Sequence, residues 1–376
     1  MIHWARRKGI RRCRTVEAVS RRADDEPLSQ ARARAQLLAG GRRGRSAEDV
    51  VRQVFAIQAQ DTVAADLGIR VRGQDLTARA IRTAYEDDRT IVRNWFMRGT
   101  LHTIPAEDVG WVTALLAPRV IAGTGSRYRD LGLTDDLRLR SGDLIGRLLG
   151  AHGPLTRAEL AEQLATLGVA PAGQAPFHLV RYAALTGLVC HGPLRAGEPT
   201  YVLLRDWVPA AGAPGLAGEA AAAELARRYL AGYAPATVCD FASWSGLALT
   251  SARAAWQAMA RSGAIVTDGD LTVLAGGARG HGDRSGGPDV RLLPAYDNYL
   301  TGYRTRQESV DAGFEARVWP GGGVIRPTVL VDGFVVGTWS RGRAITVDPF
   351  TPLTDEVQAG VAQEAAATAR FLSPAG

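Results

Sequence analysis

Two glutamines one residue apart, Gln58 and Gln60, are the residues of this chain whose type and spacing best suit chemistry. An amide is no base near neutral pH, but its oxygen accepts and its NH2 group donates hydrogen bonds, so two amides can hold one water molecule in place. Residues two apart share one side of an extended chain but lie on nearly opposite sides of a helix. The pair can therefore converge only where a preceding helix has ended. It suits a reaction that needs a placed water rather than a strong base.

The segment before the glutamines has the pattern of an amphipathic helix. Ser46 can cap its N-terminus, and Asp49 stands three residues on, close to a capping box. Apolar residues follow on one face: Val50, Val51, Val54, Phe55 and Ile57. The pattern predicts a helix over residues 46–57, with both glutamines just beyond it. In an alanine-rich chain a Gln-Ala-Gln sequence is more often a solvated helix end, so the catalytic interpretation depends on the rest of the chain.

The positive charge of the chain is confined to its first residues. Residues 1–22 hold eight basic side chains against Glu17, which accounts for the whole net charge of +7. The other 354 residues balance at 37 basic and 37 acidic side chains. Residues 1–27 lack apolar periodicity and are predicted to be a disordered basic arm. Overall basicity therefore gives no argument for DNA binding, which would depend on local clusters of arginine.

Residue usage excludes several kinds of site. The only lysine, Lys8, lies in the arm, which excludes the lysine-based Schiff-base chemistry of some base-excision enzymes for the folded body. Cys13, Cys190 and Cys239 have no CxxC spacing, so no metal site and no cofactor is predicted. The chain has no run of about 18 apolar residues and no hydrophobic segment behind its arginine-rich start. We therefore expect a cytoplasmic protein without a membrane span.

One order of predicted elements occurs three times along the chain. After the glutamines, a helix capped by Thr77 is followed by two strands at residues 90–96 and 98–104. The same order is predicted twice more, with helices opened by Thr156 and Thr237, further helices at 174–187 and 250–261, and hairpin strands at 188–191, 200–204, 264–267 and 271–274. The three threonines stand 79 and 81 residues apart. This spacing predicts three tandem copies of one small winged-helix module.

The C-terminal part is predicted to be a small, strongly curved sheet or a β-barrel, and the β-barrel is the form expected. Strand-forming segments lie at 290–293, 316–319, 324–331, 334–339 and 344–347, and Asp332-Gly333 suits a two-residue hairpin turn. A helix at 354–371 closes the chain, and residues 275–289 form a Gly-rich connector. The predicted fold class is α+β. Its divisions are the arm at 1–27, winged-helix modules at 28–145, 146–214 and 215–288, and the barrel with its helix at 289–376.

Several segments together resemble a known family. They are Gln58-Ala59-Gln60-Asp61, Arg98-Gly99-Thr100-Leu101-His102, Ala234-Pro235-Ala236-Thr237, Trp244-Ser245-Gly246-Leu247, Leu292-Leu293-Pro294-Ala295-Tyr296-Asp297 and Pro327-Thr328-Val329-Leu330-Val331-Asp332-Gly333. The set is similar to the winged-helix DNA glycosylase family typified by AlkZ and YcaQ, and it covers about residues 28–372. The resemblance implies a C-shaped DNA clamp of three winged helices and a β-barrel. It also implies that Gln58 and Gln60 are catalytic, in the Gln-apolar-Gln form of the antibiotic-resistance members.

The chemistry implied by the resemblance is that of a monofunctional glycosylase. Its substrates would be bulky N7-alkylguanine adducts and interstrand crosslinks, and its role self-resistance to a DNA-alkylating natural product of azinomycin type. Alkylation at N7 makes guanine positively charged, so the departing base needs little acid help and the enzyme must chiefly deliver water to C1′. Gln60 would hold that water, and Gln58 would share it or orient the sugar. Because a crosslinked base cannot leave freely, we expect no complete base flipping.

The resemblance further suggests residues that contact the partner, double-stranded DNA carrying alkylated guanine. The candidates are Arg93 and Arg98 on the first wing, Arg304 and Arg306 after Asp297, His102 near the lesion, and Trp319 in a hairpin at 319–324 that would probe a groove. Each has an ordinary alternative: a solvated charge for the arginines, a structural residue for His102 and a barrel turn for the hairpin. Asp61 is expected to cap the next helix, and Asp297 and Asn298 to brace a loop.

Two other functions compete with this interpretation. A non-enzymatic winged-helix regulator would work as a symmetric dimer on palindromic sites, whereas three modules in one chain already form an asymmetric clamp, so we expect a monomer. A general alkylpurine glycosylase would carry aspartate rather than glutamine at position 60.

Overall fold

The computed structural model describes residues 27–41, 43–209, 215–276 and 287–373. Apart from Pro27, the predicted basic arm lies outside the described residues. Residues 277–286 of the predicted connector also lie outside them. Within these ranges, no helix combines the length and apolar character needed to cross a membrane.

The first unit, residues 47–105, builds a three-stranded antiparallel sheet beneath three helices. After a separate helix, α1 (Leu28–Ala35), it comprises α2 (Ala47–Gln53), β1 (Ile57–Gln58), α3 (Thr62–Arg70), α4 (Ala78–Glu86), β2 (Ile91–Trp95) and β3 (Leu101–Pro105). The strand order is β1-β3-β2, with the glutamine strand at one edge. The capping box at Ser46 and Asp49 and the cap at Thr77 are confirmed.

Helix α2 ends at Gln53, four residues earlier than predicted. The chain leaves the helix because its next backbone groups pair with β3: Ile57 lies opposite Thr103, Gln58 lies opposite His102, and the amide of Ala59 donates to the carbonyl of Leu101 over 2.9 Å. Ala56 makes the transition in the left-handed region, with a φ of 69°. The apolar run continued past the helix end because the short strand is also buried.

Connecting helices lead to the second unit, residues 135–203. The connectors are α5 (Val109–Gly123) and α6 (Gly125–Asp130). The unit comprises α7 (Asp135–His152), β4 (Leu155–Thr156), α8 (Arg157–Leu164), α9 (Ala175–Leu185), β5 (Val189–Arg195) and β6 (Glu198–Leu203), and the short α10 (Leu204–Trp207) follows it. The third unit, residues 218–274, comprises α11 (Gly218–Tyr233), α12 (Val238–Ser245), α13 (Leu249–Arg261), β7 (Ile265–Asp268) and β8 (Leu271–Leu274).

The three units share one element order: a short extended segment, two helices and a two-stranded hairpin. In each, the segment pairs with the second hairpin strand: β1 with β3, β4 with β6, and Ala236 with Thr272 of β8. The predicted alignment of Thr77 with the other threonines is wrong: Thr156 and Thr237 cap the first helix after the short extended segment, whereas Thr77 caps the second helix after it. Asp61 is the equivalent cap in the first unit.

The C-terminal residues form an open four-stranded antiparallel sheet, so the predicted closed barrel is wrong for the described residues. The strands β9 (Val290–Leu293), β10 (Thr328–Val331), β11 (Phe334–Arg341) and β12 (Ile345–Pro349) run in the order β12-β11-β10-β9, which leaves β12 and β9 at the edges. The helices are α14 (Asn298–Thr301), α15 (Glu315–Val318) and the closing α16 (Asp355–Phe371). The turn at Asp332-Gly333 is confirmed, with φ angles of 48° and 83°.

The strand predicted at 316–319 is instead helix α15. The side chain of Asp311 accepts a hydrogen bond from the amide of Gly313 over 2.7 Å and starts a helical turn, Ala312–Phe314, that runs directly into α15. A local cap therefore outweighs the strand preference of the following residues.

The hydrophobic core runs beneath the glutamine strand. The largest cluster joins mainly the first unit, the third unit and the C-terminal sheet and includes Phe55, Ile57, Tyr233 and Trp244, and a second cluster lies mostly in the second unit. Helices α2 and α11 approach closely at Gly232, where a Cβ atom would lie 2.7 Å from the carbonyl oxygen of Gln53. This contact fixes the end of the helix that leads to the glutamines.

Candidate functional site

The structure brings the two predicted catalytic side chains together. Nε2 of Gln58 donates to Oε1 of Gln60 over 3.1 Å, as expected for neighbours two apart in extended backbone. Gln60 is exposed and Gln58 is half-buried. Oε1 of Gln58 is buried and has no hydrogen-bond partner among the described residues. The exposed Gln60 can therefore present its NH2 group to a third molecule, whereas the unpaired acceptor of Gln58 lies below the surface.

An extra loop in the first unit presents Gln60. In the second unit Thr156 belongs to the short strand and also caps the helix, and in the third unit the paired residue Ala236 immediately precedes the cap at Thr237. In the first unit, Ala59 and Gln60 separate the strand from the cap. That cap, the predicted Asp61, accepts from the amide of Ala64 over 2.8 Å. The two additional residues bring the polar side chain of Gln60 to the surface just before the helix start.

His102 lies directly opposite Gln58 in the sheet, so their side chains share one face. The His102 side chain is 1% exposed, and Nδ1 lies 3.0 Å from the carbonyl oxygen of Thr100, to which it donates. Burial lowers the pKa of His102 to about 3, so the ring is neutral and its Nε2 is unprotonated. The sheet register places His102 beside Gln58 as a neutral ring, and its contact with the lesion stays a prediction.

Arg93 and Arg98 are not on an exposed wing. Arg93 is buried, and its register with Thr103 and Ile57 places it on the sheet face opposite Gln58. The Arg98 side chain is half-buried and donates to the carbonyl oxygen of Trp244 in the third unit. The predicted exposure of both arginines is therefore wrong.

The turn of the first hairpin is enclosed because two units contact it. From the second unit, Nη2 of Arg181 donates to the carbonyl oxygen of Gly99 over 2.9 Å. From the third unit, Gly246 approaches so closely that a Cβ atom would lie 3.1 Å from the backbone nitrogen of Arg98. This turn joins the three units.

The other predicted contacts lie on the C-terminal surface. Arg304 and Arg306 are exposed on the loop after α14, and the guanidinium of Arg306 stacks 4.3 Å from the centre of the Trp319 ring. The segment after Trp319 contains a tight turn in which the amide of Val324 donates to the carbonyl oxygen of Gly321 over 3.1 Å. As DNA contacts, these residues stay predictions.

The residues that hold the glutamine strand were only partly predicted. Asn298 braces the glutamine strand itself, because the amide of Gln58 donates to Oδ1 of Asn298 over 2.8 Å. Asp297 forms a buried two-pronged ion pair with Arg72 at 2.7 and 2.8 Å. Nothing in the sequence distinguished Arg72 from the other arginines. Among the described residues, no three histidine, cysteine or acidic side chains are arranged to hold a metal ion.

Asp66, on α3, gives the first unit a pH-dependent stability. Burial raises the pKa of Asp66 from 3.8 to about 7, and the positive charges of Arg93 and Arg82 offset this only in part. The unfolded chain therefore releases this proton at lower pH than the folded chain, so stability falls as the pH rises from about 4 to about 7. We expect Asp66→Asn to raise the free energy of unfolding at pH 8 by on the order of 2 kcal/mol and to have little effect at pH 4.

Urea unfolding of both proteins between pH 4 and pH 8 checks this expectation. Asp143→Asn, which changes an exposed carboxylate on α7, is the matched control and should run parallel to wild type at every pH. Parallel profiles for Asp66→Asn and wild type would contradict the assignment.

Comparison with known proteins identifies the family. Residues 51–371 match the family model of AlkZ-like DNA glycosylases. The chain belongs to the AlkZ-like DNA glycosylase family. It is therefore a DNA glycosylase, a DNA-repair hydrolase that acts on N-glycosyl bonds. The family resemblance drawn from the sequence motifs is confirmed.

Two similar proteins add detail to this assignment. The chain is 30% identical over 348 residues to an interstrand DNA cross-link repair glycosylase of Streptomyces sahachiroi, a match that covers 86% of this chain and 90% of that protein. The solved structure of the Streptomyces sahachiroi DNA glycosylase AlkZ superposes with a TM-score of 0.76 at 25% identity, covering 92% of this chain and 95% of the other. The AlkZ-like chain thus shares its mixed helix and sheet architecture with a solved DNA glycosylase.

Proposed function

We propose that this AlkZ-like glycosylase hydrolyses the N-glycosidic bond of bulky N7-alkylguanine adducts in double-stranded DNA and unhooks interstrand crosslinks. Its role is self-resistance to a DNA-alkylating natural product, with azinomycin-type agents favoured. The observation that carries the proposal is the contact between Gln58 and Gln60, in which Nε2 of the half-buried Gln58 donates to Oε1 of the exposed Gln60. The similarity to the interstrand DNA cross-link repair glycosylase of Streptomyces sahachiroi supports the choice of crosslinks.

The proposed mechanism uses amides because the leaving group needs no acid. N7-alkylguanine carries a positive charge that is lost when its glycosidic bond breaks, so the reaction depends on stabilising the sugar and placing a water. Gln60, which is exposed, holds the water through its NH2 group, and Gln58, which donates to Gln60, shares the water or orients the sugar. His102 completes this face as a neutral ring. The only lysine, Lys8, precedes the family-matched residues, which supports hydrolysis without lyase activity.

For binding, we propose that the three units act as winged helices in a monomeric, C-shaped clamp around the duplex. Arg304, Arg306 and Trp319 contact the DNA from the C-terminal surface, where all three are accessible. The lesion stays largely within the duplex. The exposure of Gln60 at the surface supports this arrangement.

Release of the base from defined substrates tests the proposal. The protein is incubated with duplexes that carry an N7-guanine interstrand crosslink, a bulky N7-guanine monoadduct, N7-methylguanine or no damage, and free base and abasic sites are quantified. We expect the bulky and crosslinked substrates to react faster than N7-methylguanine, and strand cleavage only after alkali. A preference for N7-methylguanine would instead indicate a general alkylpurine glycosylase, and no release from any duplex would overturn the proposal.

A further inference from the structure

The side-chain amide of Asn298 contacts the backbone on both sides of Ile57. Its Oδ1 accepts from the amide of Gln58 over 2.8 Å, and its Nδ2 donates to the carbonyl oxygen of Ala56 over 2.7 Å. Nδ2 also donates to the hydroxyl of Tyr233 over 2.6 Å. Asn298 is 3% exposed, so these bonds are shielded from water.

These two backbone bonds are the pattern of a parallel β-ladder. In such a ladder, one residue donates to the carbonyl before its partner and accepts from the amide after it. Asn298 does both around Ile57, so its side chain acts as a one-residue strand along the edge of β1 that β3 does not cover. The strand has two residues and follows a left-handed residue, Ala56, so it has few other bonds to hold its register.

We infer that Asn298 is a positioning residue that fixes Gln58 against Gln60 for the reaction, an inference that rests on the proposed function. The chain on both sides of Gln60 is held by two adjacent residues, Asp297 and Asn298. Asn298 holds β1, and its neighbour Asp297 is ion-paired with Arg72, just beyond the helix that starts after Gln60. Asp297 also caps α14 by accepting from the amide of Tyr299 over 2.8 Å. The segment that carries Gln60 is thereby held between two adjacent residues, the cap Asp297 and the first residue of α14, Asn298.

Asn298→Asp tests this role because its effect depends on pH. A carboxylic acid offers one donor and one acceptor, as the amide does, whereas a carboxylate offers acceptors only and repels the carbonyl oxygen of Ala56. The groups around position 298 are Asp297, Arg72, which is already paired with Asp297, and Tyr233 from α11. Because position 298 is buried, the introduced carboxyl group favours its protonated form, which forms as the pH falls.

We expect the single-turnover rate of Asn298→Asp to be on the order of 100-fold below wild type at pH 8, because small misplacements of catalytic groups cost about that much. At pH 5 the rate difference between wild type and Asn298→Asp should be at least tenfold smaller than at pH 8. Asn298→Ala should lose a similar factor at every pH, and both variants should bind the damaged duplex as wild type does. Equal losses for the two variants at all pH values, or no loss, would overturn the inference.

Hydrogen exchange separates this inference from the proposed function. The amide of Gln58 should be protected in wild type and exchange at least tenfold faster in Asn298→Ala, whether or not the protein releases base. If wild type releases no base but the protection depends on Asn298, the proposed function fails and the positioning contact stands. If exchange at Gln58 is unchanged in Asn298→Ala, the positioning inference fails even in an active enzyme. Far-ultraviolet circular dichroism confirms that each variant is folded.

Discussion

Replacing Gln60 with alanine is expected to lower the single-turnover rate of base release by on the order of 100- to 1000-fold. The reason is that Gln60 is the exposed member of the pair and accepts the hydrogen bond from Nε2 of Gln58. Without it, the water loses a donor and the Gln58 amide loses the contact that orients it. Because the side chain is exposed, the free energy of unfolding should be close to that of wild type. The affinity for damaged duplex should stay within about twofold of wild type.

Gln58→Ala should show a loss of the same size, and the double variant should be no more than a few-fold slower than either single variant. Residues that act as a unit lose most of their effect when one is removed, so the losses are not multiplied. Gln363→Ala, on the exposed face of α16, is the matched control and should keep the wild-type rate. Multiplicative losses in the double variant would show that the two amides act separately.

A conservative change at position 60 shows which part of the Gln60 side chain the reaction needs. Gln60→Asp creates the Gln-apolar-Asp pattern that the family resemblance attributes to general relatives. We expect this variant to retain more activity than Gln60→Ala because a carboxylate still accepts from Gln58 and from water. A rate equal to that of Gln60→Ala would indicate that the NH2 group of Gln60 is the essential part.

How much of the site the sequence predicts depends on the distance over which each contact is formed. The glutamine pair, the cap at Asp61 and the box at Ser46 involve residues two or three apart, and all follow from local patterns. The end of α2 was misplaced because β3, more than forty residues on, competes for the same backbone groups. Helical periodicity and a buried strand look alike over so short an apolar run.

The errors in the wing and the C-terminal sheet also have a physical cause. Arg98 has the sequence context of a hairpin tip, which is usually exposed, but it donates to Trp244 of the third unit, and Arg181 of the second unit contacts the neighbouring Gly99. Five strand-forming segments suggested closure, whereas one of them is helical and the four remaining strands form an open sheet. Alternation within a strand shows which face is buried, but it carries no information on whether the edges meet.

The second large expected effect concerns the buried pair of Arg72 and Asp297. Their side chains are 0% and 1% exposed, and the guanidinium also donates to Oε1 of Gln36 and to the carbonyl oxygen of Gly68, both at 2.9 Å. Removing one partner leaves the other charge buried without compensation. We expect Arg72→Met and Asp297→Asn each to lower the free energy of unfolding by on the order of 3–5 kcal/mol, measured by urea denaturation.

The double variant decides whether the pair or the individual side chains matter. With both charges removed, no uncompensated charge remains, so we expect Arg72→Met with Asp297→Asn to be destabilised by at least about 2 kcal/mol less than the sum of the single variants. Asp136→Asn, which breaks the exposed pair with Arg140, is the control and should cost less than about 1 kcal/mol. Additive losses would mean that packing, not charge, is the main contribution. Because Asp297 adjoins Asn298, any variant that breaks the pair should also speed hydrogen exchange at Gln58, so stability and the placement of the catalytic amide share one origin.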